Sequence, residues 1–514
     1  MQILATIPSA AFAGAKSAAV LLLALAISAC SDSNNRPVYD SGDPVPDLLP
    51  IAEPEVELPP DIRRTVLTTT QFDLATVGFQ QAEFFISGEA TSFTNLSELG
   101  SDGRWQVEPA TTAPYKTRIV VIRPIEDADF SGTVFVEWLN VSAGFDNPPS
   151  WYAGHTEALR RGHAWVFVSA QIDGIEGRDD AVIPLAAKRV NPDRYESLSI
   201  PSDSFSYDIF SQVTQTLVSP SGLAPLGELQ PQRLLAVGES QSANRLVIYV
   251  NAVHPLYAPY DGYLIHSRTG GEFSSYSLSQ PPEVSLPTPA DLRVRDDLEI
   301  PILMYQTETD LLVLGAVVAR QDDSQNFRLW ETAGTSHSDY YTNVSGRTDT
   351  GVDPLFAVVV EQSSIFGFIN CTLPMNAGPG PWLFNNALNA LEGWVKDGTT
   401  PPAADRIALS DDRASILRDD FGNAMGGIRS PYLDAPAATL SGEGQDGESF
   451  CAQFGVTALF DAATMAMLYG DEAAYMAAVQ EASNAAIDQG FLLVEDAERI
   501  VAAASLQWRR LQQP

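Results

Sequence analysis

Leu234-Leu235-Ala236-Val237-Gly238-Glu239-Ser240-Gln241-Ser242-Ala243-Asn244-Arg245 decides how the rest of this chain is read. A short apolar run leads into a tight turn of small residues with Ser240 at its apex, and a helix-like stretch follows. That is the outline of a nucleophile elbow, a strained strand–turn–helix that holds a serine hydroxyl clear at the carboxyl edge of a parallel sheet. Strand and helix can approach closely only if the residues two positions either side of the serine are small. Here they are Gly238 and Ser242. The usual pattern ends in glycine, so Ser242 is a mild departure. The turn implies nucleophilic acyl transfer and directs attention to the strand ends downstream, where a base and an orienting acid must lie.

The flanking sequence supplies such a sheet. Residues 115–124 (YKTRIVVIRP), 133–139 (TVFVEWL), 164–171 (AWVFVSAQ), 260–267 (YDGYLIHS), 300–306 (IPILMYQ) and 327–333 (FRLWETA) read as strands with 234–237, and 150–162 reads as a helix. Near-continuous apolar strands alternating with helices predict an α/β fold, a mostly parallel sheet covered on both faces. Residues 172–230 and 268–299 are longer than such a sheet needs, and 268–299 reads as a lid-like insertion. Residues 370–450, rich in Pro and Gly, interrupt the pattern, and an alanine-rich stretch from about 457 to 508 predicts a helical C-terminal extension.

Five histidines can be weighed as the base: His155, His163, His254, His266 and His337. His337 follows the last strand, where this architecture presents its base, and the order serine, acid, histidine places the acid after the preceding strand. Asp310 is favoured there, with Glu308 as the competitor. His155 reads as packed in a helix, His163 as a helix-end residue, and His254 as the neighbour of a helix terminator. His266 ends a strand on the edge where the site would lie and is a candidate to line a substrate pocket. The oxyanion needs two backbone donors. One is expected at Gln241, and the other at Asn140, Val141 or Ser142, among which the sequence does not choose. The His-Gly pair common in that loop is missing. No metal-binding cluster and no Gly-rich phosphate loop stand out, so neither metal nor cofactor is expected.

The first 29 residues carry no acid and one cation, Lys16, and their apolar run 18–27 has the size of a signal-peptide core. It ends Ile27-Ser28-Ala29-Cys30, which resembles a bacterial lipoprotein box. The expectation is cleavage before Cys30, a lipid on Cys30, and, with Ser31 following, an outer-membrane destination. Residues 30–62 read as an acidic, Pro-rich tether, and the folded domain is expected over 63–514. Lys and Arg number 30 against 65 Asp and Glu, a net charge of −35, so nucleic acid is excluded as a partner and the lipid is the expected membrane contact. Cys371 and Cys451 are a plausible disulfide in an exported protein, with two separate buried thiols as the alternative.

Taken together, Val136-Glu137-Trp138-Leu139-Asn140, Val168-Ser169-Ala170-Gln171, Gly238-Glu239-Ser240-Gln241-Ser242, Asn251-Ala252-Val253-His254-Pro255, Thr307-Glu308-Thr309-Asp310, the run Trp330 to His337, Phe450-Cys451 and Gly490-Phe491-Leu492-Leu493 resemble a bacterial family of exported alpha/beta-hydrolase domain-containing proteins. The resemblance covers about residues 63–510. It implies the alpha/beta-hydrolase fold and a triad of Ser240, Asp310 or Glu308, and His337. The substrate expected is a small-molecule carboxylic ester. A peptidase or amidase on the same triad, or a non-catalytic binding lipoprotein of the envelope, are the other readings.

Overall fold

Residues alternating between two apolar faces generate the central sheet of the computed structural model, which describes residues 48–61, 65–271, 277–278 and 288–512. In β4 (Thr133–Trp138), Val134, Val136 and Trp138 point into one core while Phe135 points into another. In β6 (Arg233–Glu239), Leu234 and Ala236 share the first core, and Leu235 and Val237 the second. A strand with apolar residues on both faces must be covered on both sides, and each fully buried aliphatic side chain contributes about 1.5–3 kcal/mol.

Six strands run parallel in the order β5 (Ala164–Val168), β4, β6, β7 (Gly262–His266), β8 (Ile302–Thr307) and β9 (Phe327–Thr332). Three antiparallel strands extend the β5 edge: β3 (Val107–Pro124), β2 (Phe79–Asn95) and β1 (Glu55–Glu57). Helices α2 (Ser206–Val218) and α3 (Gln241–Ile248) cover one face, and α1 (Pro149–Arg161) and α5 (Gly380–Asp397) the other; α4 (Glu308–Leu312) is a short turn after β8. Gly154 lets α1 and α5 touch, because a Cβ there would lie 2.4 Å from Leu388 Cδ1. The C-terminal extension is helical, with α6 (Glu472–Asp488) and α7 (Val494–Leu511) packed around Tyr475, Val479, Ile500 and Trp508.

Three expectations change. The tether does not run to residue 62, because β1 pairs with β2, Leu49 N donates to Leu256 O, and Leu49, Ile51 and Val56 pack on the core. These apolar residues sit between the prolines and acids that made the stretch read as solvated. Residues 370–450 contain a full helix, α5, whose entry through Gly378-Pro379-Gly380-Pro381 disguised it. His254 is not beside a helix end: a π turn at Tyr249–Val253 continues directly into the helix His254–Tyr257. The leader 1–29, Cys30, the tether as far as residue 47, and residues 272–276 and 279–287 of the insertion lie outside the described residues.

Candidate active site

The turn after β6 has the strain expected of an elbow. Ser240 adopts φ 61° and ψ −119°, a conformation that costs an L-residue energy and persists only where the surroundings impose it. A Cβ on Gly238 would meet Ser242 Cβ at 3.0 Å and Leu246 Cδ1 at 3.2 Å, so any larger residue would crowd the crossing of strand and helix. Ser242 itself is fully buried and fits that space. Ser240 N donates to His266 O across to β7, which fixes the turn against the neighbouring strand.

Two further strand ends converge on Ser240. His337, in the loop after β9, lies with Nε2 2.9 Å from Ser240 Oγ and Nδ1 2.6 Å from Asp310 Oδ1. A carboxylate can only accept, so Nδ1 carries the proton and Nε2 is left to accept the serine hydroxyl. Asp310 Oδ2 accepts from Thr307 N in the capping box that starts α4, which holds the carboxylate in place. Glu308 does not reach the imidazole. Its carboxylate accepts from Gly334 N at 2.6 Å and Gly442 N at 3.0 Å and pairs with Arg418, so it ties the His337 loop to the C-terminal region. Of the two acids, only Asp310 touches His337.

The amides expected to face an oxyanion are not equivalent. Asn140 N donates to Asn147 O at 2.9 Å and Ser142 N to Asn140 Oδ1 at 2.8 Å, so both are committed. The Val141 amide has no such partner among the described residues, and Gln241 opens α3 with its N–H at the free end of the helix. Asn140 contributes through its side chain instead, with Nδ2 donating to Glu239 O at 3.1 Å and so stitching the loop to the elbow.

His266 is buried, stacked on Phe384 with ring centroids 4.1 Å apart, with Nδ1 3.3 Å from Ser150 Oγ. It lines a small pocket together with Glu239, His337, Tyr305 and Phe384, and burial, with His337 nearby, pushes its pKa well below the ordinary value. His155 is packed, 2.8 Å from Asp349 O, and His163 follows the helix end at 2.7 Å from Ser131 Oγ.

Residue-type reasoning missed several members of the site. Glu239, directly before the serine, has Oε1 3.5 Å from His337 Nε2. Gln171 accepts from both Trp138 Nε1 and Gln241 Nε2, bridging the ends of β4 and β5 to α3. Asp146, in the loop after β4, does not touch the Ser240–His337–Asp310 chain; held by Arg118 at 2.7 Å and by Ser169, it ties that loop to β3. The Val-Ser-Ala-Gln and Gly-Glu-Ser-Gln runs contain two of them, but nothing in a linear pattern assigns their partners. Among the described residues no group of His, Cys, Asp and Glu could hold a metal ion.

A family model described as an alpha/beta hydrolase domain matches residues 51–502. The chain belongs to that family. No curated protein matches the hydrolase. It is similar to the solved structure of acetyl xylan esterase 1 from Thermoanaerobacterium sp. JW/SL YS485 at 9% identity, covering 55% of this chain and 81% of that one with a TM-score of 0.30. It is similar to carboxylesterase Cest-2923 from Lactobacillus plantarum WCFS1 at 11% identity, over 45% and 76% of the two chains with a TM-score of 0.24. A glucuronoyl esterase from Solibacter usitatus matches at 9% identity over 55% and 82%, with a TM-score of 0.27. The hydrolase is an alpha/beta protein in which Ser240, Asp310 and His337 follow the carboxyl ends of β6, β8 and β9.

Proposed function

We propose that this hydrolase cleaves a small-molecule carboxylic ester through an acyl-enzyme on Ser240. The observation that carries the reading is the unbroken chain Asp310–His337–Ser240 at 2.6 and 2.9 Å, ending on a serine held in a strained turn. Ser240 Oγ attacks the ester carbonyl as its proton passes to His337 Nε2. Asp310 keeps Nδ1 protonated and favours the charged imidazole. The amides of Gln241 and Val141 receive the developing oxyanion, each such donor being worth about 3 kcal/mol of barrier. The imidazolium returns its proton to the departing alkoxide, the ester C–O bond breaks, and a water activated by the same histidine hydrolyses the acyl-enzyme. An alkoxide departs with less protonation than an amine, so a single general acid serves an ester better than an amide.

Residues 31–514 treated with a fluorophosphonate carry one adduct, on the peptide containing Ser240, and a panel of esters is cleaved faster than the matching amides. A folded protein that takes no label overturns the reading; faster amide cleavage makes it an amidase.

We propose further that the protein belongs to the bacterial cell envelope and is held, through a lipid on Cys30, at the outer membrane. The support is the Ile27-Ser28-Ala29-Cys30-Ser31 sequence after an apolar run. The full chain made in a bacterium fed a labelled fatty acid becomes labelled, and Cys30→Ala does not. Equal labelling of both removes the anchor.

A further inference from the structure

Glu239 has a side chain that the reaction above leaves unexplained. It ends β6, and its backbone carbonyl is taken by Asn140. Its carboxyl is nine-tenths buried, yet no described residue donates a hydrogen bond to it. One oxygen faces His337 Nε2 at 3.5 Å, and the side chain borders a cavity of about 20 Å³ beside His266, Tyr305 and Phe384, space of the order of one water. Burying a carboxyl without donors is unfavourable, and an apolar residue of similar shape would be tolerated better in a resting protein.

The neighbouring ionisable groups are otherwise engaged. Asp310 is held by Thr307 N and His337 Nδ1. Glu137, at the end of β4, accepts from Ser150 N, Trp151 N and Trp165 Nε1. Asp339 accepts from Thr342 N, and His266 faces Ser150. Among the described residues, Glu239 alone turns a carboxyl without a donor towards the imidazole nitrogen that gains the proton.

We propose that Glu239 is a second carboxylate partner of His337, facing Nε2 as Asp310 faces Nδ1, and that it stabilises the imidazolium formed during acyl transfer. The inference rests on the serine-hydrolase reading. At 3.5 Å the carboxylate acts through its field: the proton taken from Ser240 stays on Nε2 until it moves to the leaving oxygen, and Glu239 itself neither gains nor loses one in the cycle.

The charge state of the site agrees with this geometry. Burial above all, with Asp310 adding to it and the His337 charge opposing both, pushes Glu239 up to about 7. Burial alone would depress His337, but Glu239 and Asp310 outweigh it and hold the imidazole above its ordinary value. The base must be neutral to accept the serine proton. A negative charge beside Nε2 therefore raises the pH at which activity appears, and its removal lowers that pH.

The test is the pH profile of kcat/KM, and of the fluorophosphonate labelling rate at Ser240, for the wild type, Glu239→Gln and Glu239→Asp. Opposite charges at such distances move a titration by about 1–3 units. In Glu239→Gln the acid limb is expected to move about 1 unit or more to lower pH, with a plateau kcat about 10–100-fold lower and KM nearly unchanged. Glu239→Asp keeps the charge, so its limb stays near that of the wild type. A Glu239→Gln limb that does not move, whatever its plateau, means a packing role and overturns the inference while labelling of Ser240 persists. If Glu239→Gln does not fold, the wild type decides: an acid limb at or below about 6.5, the ordinary imidazole value, overturns it. A folded wild type that is not labelled at Ser240 fails the serine-hydrolase reading itself.

Discussion

Asp310→Asn lowers kcat about 10⁴-fold with little effect on KM, whereas Glu308→Gln keeps most of the activity and loses stability instead. Asp310 Oδ1 accepts the Nδ1 proton of His337 at 2.6 Å, and Oδ2 is fixed by Thr307 N. Thr307 N requires an acceptor, so in asparagine the carbonyl oxygen stays on that side and the amide NH₂ turns towards Nδ1. Nδ1 must then accept, the ring proton moves to Nε2, and the serine hydroxyl has no base. The imidazolium also loses its buried counter-charge. Glu308 has another duty. Its carboxylate joins Gly334 N, Gly442 N and Arg418, so a neutral glutamine weakens charge-assisted bonds worth about 1.5–3 kcal/mol each without touching the imidazole. Turnover rates and urea unfolding of the two variants separate the roles. Equal activity loss in both would mean that Glu308 also orients the base.

The pattern of the sequence made the parallel strands legible because each is a short apolar run with turn residues at its ends, and burial on both faces demands that composition. The same rule hides β2 and the first half of β3. They form a long antiparallel pair whose outer stretch, including Glu108 to Thr112, is exposed, and Pro109 and Pro114 make it resemble a loop. Ser240, Asp310 and His337, which the structure joins by hydrogen bonds, could be picked out as candidates because they follow three strand ends in a fixed order. The choice between Asp310 and Glu308 could not be settled that way: two residues apart on one turn, they point in different directions, and only the capping box that Asp310 forms with Thr307 decides which faces the histidine. Val141 likewise is left as the candidate donor only by hydrogen bonds that occupy the amides on either side of it. Glu239 carries no linear signal at all, since its partner lies 98 positions away and meets it only through the order of strands in the sheet.

Removing the disulfide between Cys371 and Cys451 costs about 4.5 kcal/mol of stability and also weakens catalysis. The two cysteines are 80 residues apart, and closing a loop of that length withdraws much of the freedom of the unfolded chain. The bridge is buried with Met375 and Phe454 and packs against Tyr340 and Val344, which follow His337. Hydrogen bonds continue the connection: Gln453 O accepts from Ser338 N, Phe454 O accepts from Asn376 N, and Asn376 Nδ2 donates to Gly334 O. The loop that carries the base is thus braced from both sides by chain that the bridge pins. In Cys371→Ala/Cys451→Ala the urea midpoint falls, and kcat falls because His337 no longer holds its distance to Ser240, while the protein that remains folded still labels at that serine. An unfolding midpoint equal to that of the oxidised wild type would mean that the surrounding apolar cluster, not the covalent link, holds the loop.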